Sequence, residues 1–139
     1  EGYFNNPEAT KETIDTEGWL HTGDIGILDT NGYIKITDRS KDMFIVGGFN
    51  AYPAEIENIL CDHPSISQAA VIGIADERMG EVAKAFVVLK PNHELQEDTL
   101  VQWSKENMAN YKVPREIVFV EALPTNAAGK VMKYILKED

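Results

Sequence analysis

AAVIGIADERMGEVAKAFVVL, residues 69–89, is the stretch on which the fold turns. Its two ends, 69–75 and 85–89, are nearly continuous apolar runs of strand length, and Ile117–Val120 is a third. Runs of this kind read as central strands. Helical patterns lie on either side of them. Pro53 stands at a first helical position, Glu55 and Glu57 suit the positive end of a helix dipole, and Ile56, Ile59 and Leu60 share one face before Pro64 stops the segment. Asp98 is placed to cap a further helix in which Leu100, Trp103, Met108 and Tyr111 fall along one side, ending before Pro114. After Pro124–Gly129, the spacing of Val131, Tyr134 and Ile135 predicts a short terminal helix.

Towards the N-terminus the pattern changes. Ile25–Leu28 and Tyr33–Ile36 flank Asp29-Thr30-Asn31-Gly32, whose Asn-Gly pair supplies positive φ, so a β-hairpin is expected. Asp38-Arg39-Ser40-Lys41-Asp42 is a charged hinge running into a short apolar strand, Met43–Val46, and then a flexible loop at Gly47-Gly48. Residues 1–17 are polar and turn-rich, and read as a tail or connector. The expected class is α+β: a small mixed sheet of about three central strands with packed helices, plus an N-terminal β-hairpin segment. The sequence contains no internal repeat and no low-complexity segment.

With 139 residues, 43% of them hydrophobic, the chain can bury one core. Its 23 acidic against 13 basic residues give a net charge of −10, which argues against general nucleic-acid binding. The lone Cys61 can form no intrachain disulfide and is expected to pack, and with three scattered histidines it makes no metal-ligand spacing. A reducing, cytoplasmic setting without structural metal follows as the expectation. No apolar run approaches the ~20 residues of a transmembrane segment, and the opening residues lack the order of a secretion signal. The chain opens on Glu1 and runs straight into Gly2-Tyr3-Phe4-Asn5, which reads as the middle of a longer polypeptide.

Local motifs leave the chemistry open. A Walker phosphate loop fails, because Val131 follows Gly129-Lys130 where Ser or Thr would hold magnesium, and no GxGxxG occurs. His21, His63 and His93 have no triad partners in sequence. Lys130, after a glycine and ahead of a helix, is either a movable positive charge or a solvated lysine after a turn. Asp24 after Gly23, and Arg39 after Asp38, are either ligand contacts or surface ion-pair residues.

Taken together, these segments resemble the C-terminal region of the adenylate-forming superfamily: acyl-CoA synthetases, luciferases and peptide-synthetase adenylation domains. GYFNNPEAT (2–10) is similar to the loop near the end of the large N-terminal domain, and GWLHTGD (18–24) to its last ribose-binding turn. DRSKDMFIVGGFNAYPAEIE (38–57) is similar to the hinge and the loop after it, and PTNAAGKVMKYIL (124–136) to the terminal lysine motif. The motifs stand in family order and cover nearly the whole chain. Pro53 in NAYPAEIE, where peptide-synthetase domains usually carry glycine, resembles the acyl-CoA ligases and luciferases. GGFNAYPAEIE looks especially like ligases of fatty, aromatic or sterol-derived acids.

The resemblance implies an ATP-dependent acid:CoA ligase, with residues 1–40 the last segment of a large adenylating domain and 41–139 a C-terminal lid. It implies ATP and CoA as co-substrates, a carboxylic acid as acyl donor, Mg2+ bound mainly by the large domain, and that domain as same-chain partner. Lys130 matches the catalytic lysine that bridges the carboxylate and the α-phosphate, a role whose loss commonly costs ~3 kcal/mol. Asp24 matches the acceptor of the ribose hydroxyls, and Arg39 a guanidinium at the ribose or phosphate. Lys41 falls at the hinge about which the lid turns between half-reactions. Gly47, Gly48 and Phe49 match the loop that lies along the pantetheine arm of CoA, where missing Cβ atoms permit close approach. The setting of Lys130 is also similar to that modified by protein acetyltransferases in bacterial acyl-CoA synthetases, and acetylation would remove its charge. A luciferase-like or carrier-loading adenylating enzyme, and a noncatalytic interaction module that keeps the lid fold, are the competing expectations.

Overall fold

In a computed structural model, which describes residues 2–137, the 69–89 stretch folds back on itself. Ile66–Asp76 and Gly80–Leu89 form two long antiparallel strands, paired from Gln68 opposite Val88 to Asp76 opposite Gly80. Asp76 builds the turn between them: its Oδ1 accepts from the N–H groups of Met79 (2.8 Å) and Arg78 (2.9 Å), and these bonds hold its carboxyl below the ordinary range. Side chains alternate between the faces, so Val71, Ala85 and Val87 enter one core while Ala70, Ile72 and Phe86 enter another. Burial on both faces is why these strands read as unbroken apolar runs.

In chain order the elements are α1 (Pro7–Thr13), β1 (Asp24–Leu28), β2 (Ile34–Arg39), β3 (Phe44–Val46), β4 (Phe49–Ala51), α2 (Pro53–Cys61), β5 (Ile66–Asp76), β6 (Gly80–Leu89), α3 (Glu97–Asn107), a 3-10 turn (Asn110–Lys112), β7 (Glu116–Phe119) and α4 (Lys133–Leu136). Strand β6 is the centre of a five-stranded sheet. One edge carries β5 throughout. The other carries β7, parallel, over Lys84–Val87, and meets β3 at Val46 opposite Gly80, where Gly47 N also donates to Met79 O (2.8 Å). Ile56 and Leu60 of α2 and Leu100 of α3 are fully buried on the first face; Leu123 and Leu136 cover the second. β1 and β2 form a separate two-stranded hairpin, its turn organised by Asp29, which accepts from Asn31 N and Tyr33 N.

The α+β class, the hairpin and a strand at each of the three apolar runs are as expected. The sheet has five strands, however, and of those three β6 alone is central, with β5 and β7 each paired to it only. Several local expectations also need correction. Residues 7–13 are helical, not a connector: Asn6 Oδ1 caps the helix by accepting from Ala9 N (3.0 Å) and Pro7 starts it. Asp98 does not cap α3; the cap position is Gln96, without a side-chain bond, and Asp98 lies in the first turn. Gly47-Gly48 is not a loose loop but the turn of a β3–β4 hairpin, both glycines at positive φ (57° and 89°), as a tight primed turn requires. Glu57 serves no dipole: it accepts from Val71 N (2.7 Å) and pairs with Lys133 (2.6 Å), tying α2 to the sheet and to α4. Cys61 is exposed instead of packed, with partial burial pushing its thiol above the ordinary range. His63 is a core residue, set edge-on to Trp103 at 5.2 Å.

One glycine is under strict steric constraint. A Cβ on Gly73 of β5 would lie 2.5 Å from the Cβ and 2.7 Å from the Cγ of Phe44, which is itself buried. Gly73→Ala is therefore expected to destabilise the chain by about 1–3 kcal/mol through overpacking. An unchanged midpoint in urea unfolding would contradict that packing.

Candidate functional site

The hairpin register brings Asp24 and Arg39 together, although they are distant in sequence. They are opposite one another across β1 and β2, and Arg39 Nε stands 3.4 Å from Asp24 Oδ1 with both side chains partly exposed. Thr22 braces the pair: its Oγ1 accepts from Asp24 N (3.1 Å) and its carbonyl from Arg39 Nη2 (3.4 Å). Gly23 turns the chain at φ +73°, with Ser40 N donating to Gly23 O (2.8 Å). The result is a carboxylate acceptor and a guanidinium donor side by side on an open edge.

Asp38, in sequence one member of a charged run, is buried. Its Oδ1 accepts from Arg39 N (2.6 Å), and its Oδ2 from Ala54 N (2.8 Å) in the first turn of α2. Lys41 lies exposed in the turn that follows. Asp42 N and Met43 N both donate to Arg39 O there, and neither the N–H nor the carbonyl of Lys41 takes part in those bonds.

The β3–β4 turn projects beside an aromatic pair. Phe49, exposed, stacks on Tyr111 with ring centroids 5.0 Å apart and planes inclined by 23°. Lys112 lies over the Tyr111 ring at 5.5 Å and pairs with Glu55 at 2.6 Å. Burial works against the Lys112 charge, but the bond to Glu55 and its carboxylate charge hold the ammonium above the ordinary lysine range. The two glycines differ: a Cβ on Gly47 would meet Met79 Cε at 2.6 Å, whereas nothing lies within 4 Å of a Cβ on Gly48. Gly47 is covered by Met79, and Gly48 faces open space. Tyr111 was legible only as a residue of a helix face.

Lys130 sits on a pinned loop rather than a mobile one. Asn126 Oδ1 accepts from Ala128 N (3.0 Å) and Lys130 N (2.9 Å), Asn126 N donates to Lys130 O (2.9 Å), and Gly129 takes φ +77°. Its side chain is exposed, and no carboxylate among the described residues pairs with it. Neither the hairpin pair nor the glycine turn is hydrogen-bonded to Lys130. The structure thus holds three separate stations: the Asp24–Arg39 pair, the Gly47-Gly48-Phe49 turn, and Lys130. Among the described residues there is no cluster of three His, Cys, Asp or Glu side chains that could hold a metal ion, and no helix long and apolar enough to cross a membrane.

Comparison with known proteins supplies the context. The family described as AMP-binding enzyme C-terminal domain matches residues 55–130. A 3-[(3aS,4S,7aS)-7a-methyl-1,5-dioxo-octahydro-1H-inden-4-yl]propanoyl:CoA ligase of Rhodococcus jostii (strain RHA1) is 57% identical over 99% of this chain, which covers 27% of that protein. Among solved structures, ATP-bound MatB from Rhodopseudomonas palustris superposes with a TM-score of 0.92 at 38% identity, over 99% of this chain and 27% of that one. The apo structure of MatB from the same organism, at the same 38% identity and over 99% of this chain and 28% of its own, superposes at 0.73. The chain therefore spans little more than a quarter of the length of these relatives.

Proposed function

The chain belongs to the AMP-binding enzyme C-terminal domain family, and from that premise we propose that it is the C-terminal part of an ATP-dependent acid:CoA ligase working in a reducing cytoplasm. Residues 1–40 are then the end of the large adenylating domain and 41–139 the lid. Supporting the division, the hairpin leaves Ile27, Leu28, Ile34 and Ile36 exposed, an apolar surface of the kind that another domain covers. The observation that carries the reading is the Asp24–Arg39 pair: an acceptor-only carboxylate suited to two ribose hydroxyls, beside a guanidinium suited to phosphate or ribose oxygen.

The chemistry runs in two steps. A carboxylate oxygen attacks the α-phosphorus of ATP and pyrophosphate leaves; the CoA sulfur then attacks the acyl carbon, the bond to AMP breaks, and the thiol proton is released. In the first step the Lys130 ammonium, held out from its pinned loop, neutralises charge on the incoming carboxylate and the α-phosphate. In the second, rotation about Lys41 withdraws Lys130 and presents Gly47-Gly48-Phe49 to the pantetheine arm, the open side of Gly48 leaving room for close approach. Mg2+ is assigned, as part of the same reading, mainly to the large domain. Acetylation of Lys130 by a protein acetyltransferase would neutralise the charge on which adenylation depends.

The 139-residue chain alone is expected to give no acid-dependent exchange of pyrophosphate into ATP, whereas the ligase that contains it should give both exchange and CoA thioester. Exchange by the isolated chain would overturn the division of labour.

A further inference from the structure

Helix α2 lacks a cap of its own. Tyr52, at its cap position, makes no side-chain bond to the first turn, so Ala54 N would be one of the helix's unsatisfied donors. The acceptor comes instead from Asp38, sixteen residues earlier and on the other side of Lys41. Both carboxylate oxygens are committed, one to Ala54 N and one to Arg39 N, as a buried carboxylate requires. Outside the Arg39–Met43 turn, the Asp38–Ala54 bond is the one hydrogen bond or ion pair that joins residues 2–40 to the lid among the described residues. Elsewhere the hairpin and α2 face each other across an open cleft of about 490 Å3, between Ile25, Ile27 and Thr37 on one side and Tyr52, Glu55 and Asn58 on the other.

We propose that Asp38 is a latch: a positioning residue that holds the hairpin to the lid in one orientation by capping α2 across the hinge. Turning the chain at Lys41 carries Ala54 away from Asp38, so the cap exists in this orientation and is lost in others. Two structures of one relative that differ in how well they superpose on this chain accord with parts that can be arranged in more than one way. The hinge belongs to the ligase reading, on which the inference rests, but the latch is tested on this chain without activity, so the two can fail separately.

The exposed Cys61 at the end of α2 and an Asn31→Cys substitution at the hairpin turn accept a pair of spin labels that report distance across the hinge. With Asp38 present, double electron–electron resonance is expected to give one narrow distance. With Asp38→Ala it should give a broadened or displaced distribution while the β5 and β6 amides keep their protection from hydrogen exchange. An unchanged distribution would overturn the proposal. Loss of β5–β6 protection would overturn it too, since Asp38 would then support the lid's own stability.

Discussion

Lys130→Ala in the full-length ligase is expected to slow acyl-adenylate formation by about a hundredfold to a thousandfold, the cost of losing one preorganised charge at the reacting phosphate. Transfer from supplied acyl-adenylate to CoA should remain largely intact, because in the proposed mechanism Lys130 withdraws before that step. The structure makes the variant clean. The Lys130 side chain is exposed and its loop is pinned through backbone groups by Asn126, so truncation removes charge without removing a support of the fold. Rapid-quench measurement of adenylate in a single turnover checks it, and an equal loss in both steps would mean that Lys130 serves the fold or substrate binding instead.

Lys41→Pro should show the opposite bias. Proline holds φ near −65° and removes the freedom a hinge needs. Adenylation is expected to persist, while thioester formation from the adenylate falls by at least about tenfold, or ~1.4 kcal/mol on the barrier. The Lys41 N–H takes no part in the bonds that close the Arg39–Met43 turn, so proline there removes no donor from it. Thioester formation at the unsubstituted rate, measured by single-turnover trapping of the CoA product, would remove Lys41 from the mechanism.

How much of this was legible in the sequence follows from the range of each interaction. β5, β6 and β7 announced themselves because strands covered on both faces must be apolar at successive positions, whether central like β6 or at an edge like β5 and β7, and α2 because Pro53 and Pro64 bracket an apolar stripe. Helix α1 was missed because its seven residues bury nothing, so no apolar stripe exists to be read, and its signal is the local pair of Asn6 cap and Pro7. Asp98 was misplaced because a carboxylate in the first turn and a carboxylate at the cap are alike in composition, and Asp98 stands only two residues past the cap position Gln96. Strand β4 was invisible: its three residues pair only with β3, and the glycines before it suggested looseness where positive φ in fact sets a tight turn.

The proposed site is legible as motifs and opaque as geometry. Resemblance picked out Asp24 and Arg39 singly, while their contact depends on a hairpin register that contains a bulge between Ile25 and Gly26. Asp38 was hidden for a related reason. Its role is defined by a donor sixteen residues away, and only the absence of a capping side chain at Tyr52 hints that one is needed. Glu57 likewise appeared as a dipole charge until its partners, Val71 and Lys133, came into view from other elements.

The central claim is that one lid serves two half-reactions with different residues. Its most direct measurement is the pair of single-turnover rates, adenylate formation and thioester formation, determined side by side for the unsubstituted ligase, Lys130→Ala and Lys41→Pro. The account predicts a crossed result, with Lys130→Ala losing the first step and keeping the second, and Lys41→Pro keeping the first and losing the second. Parallel losses in both variants would contradict it.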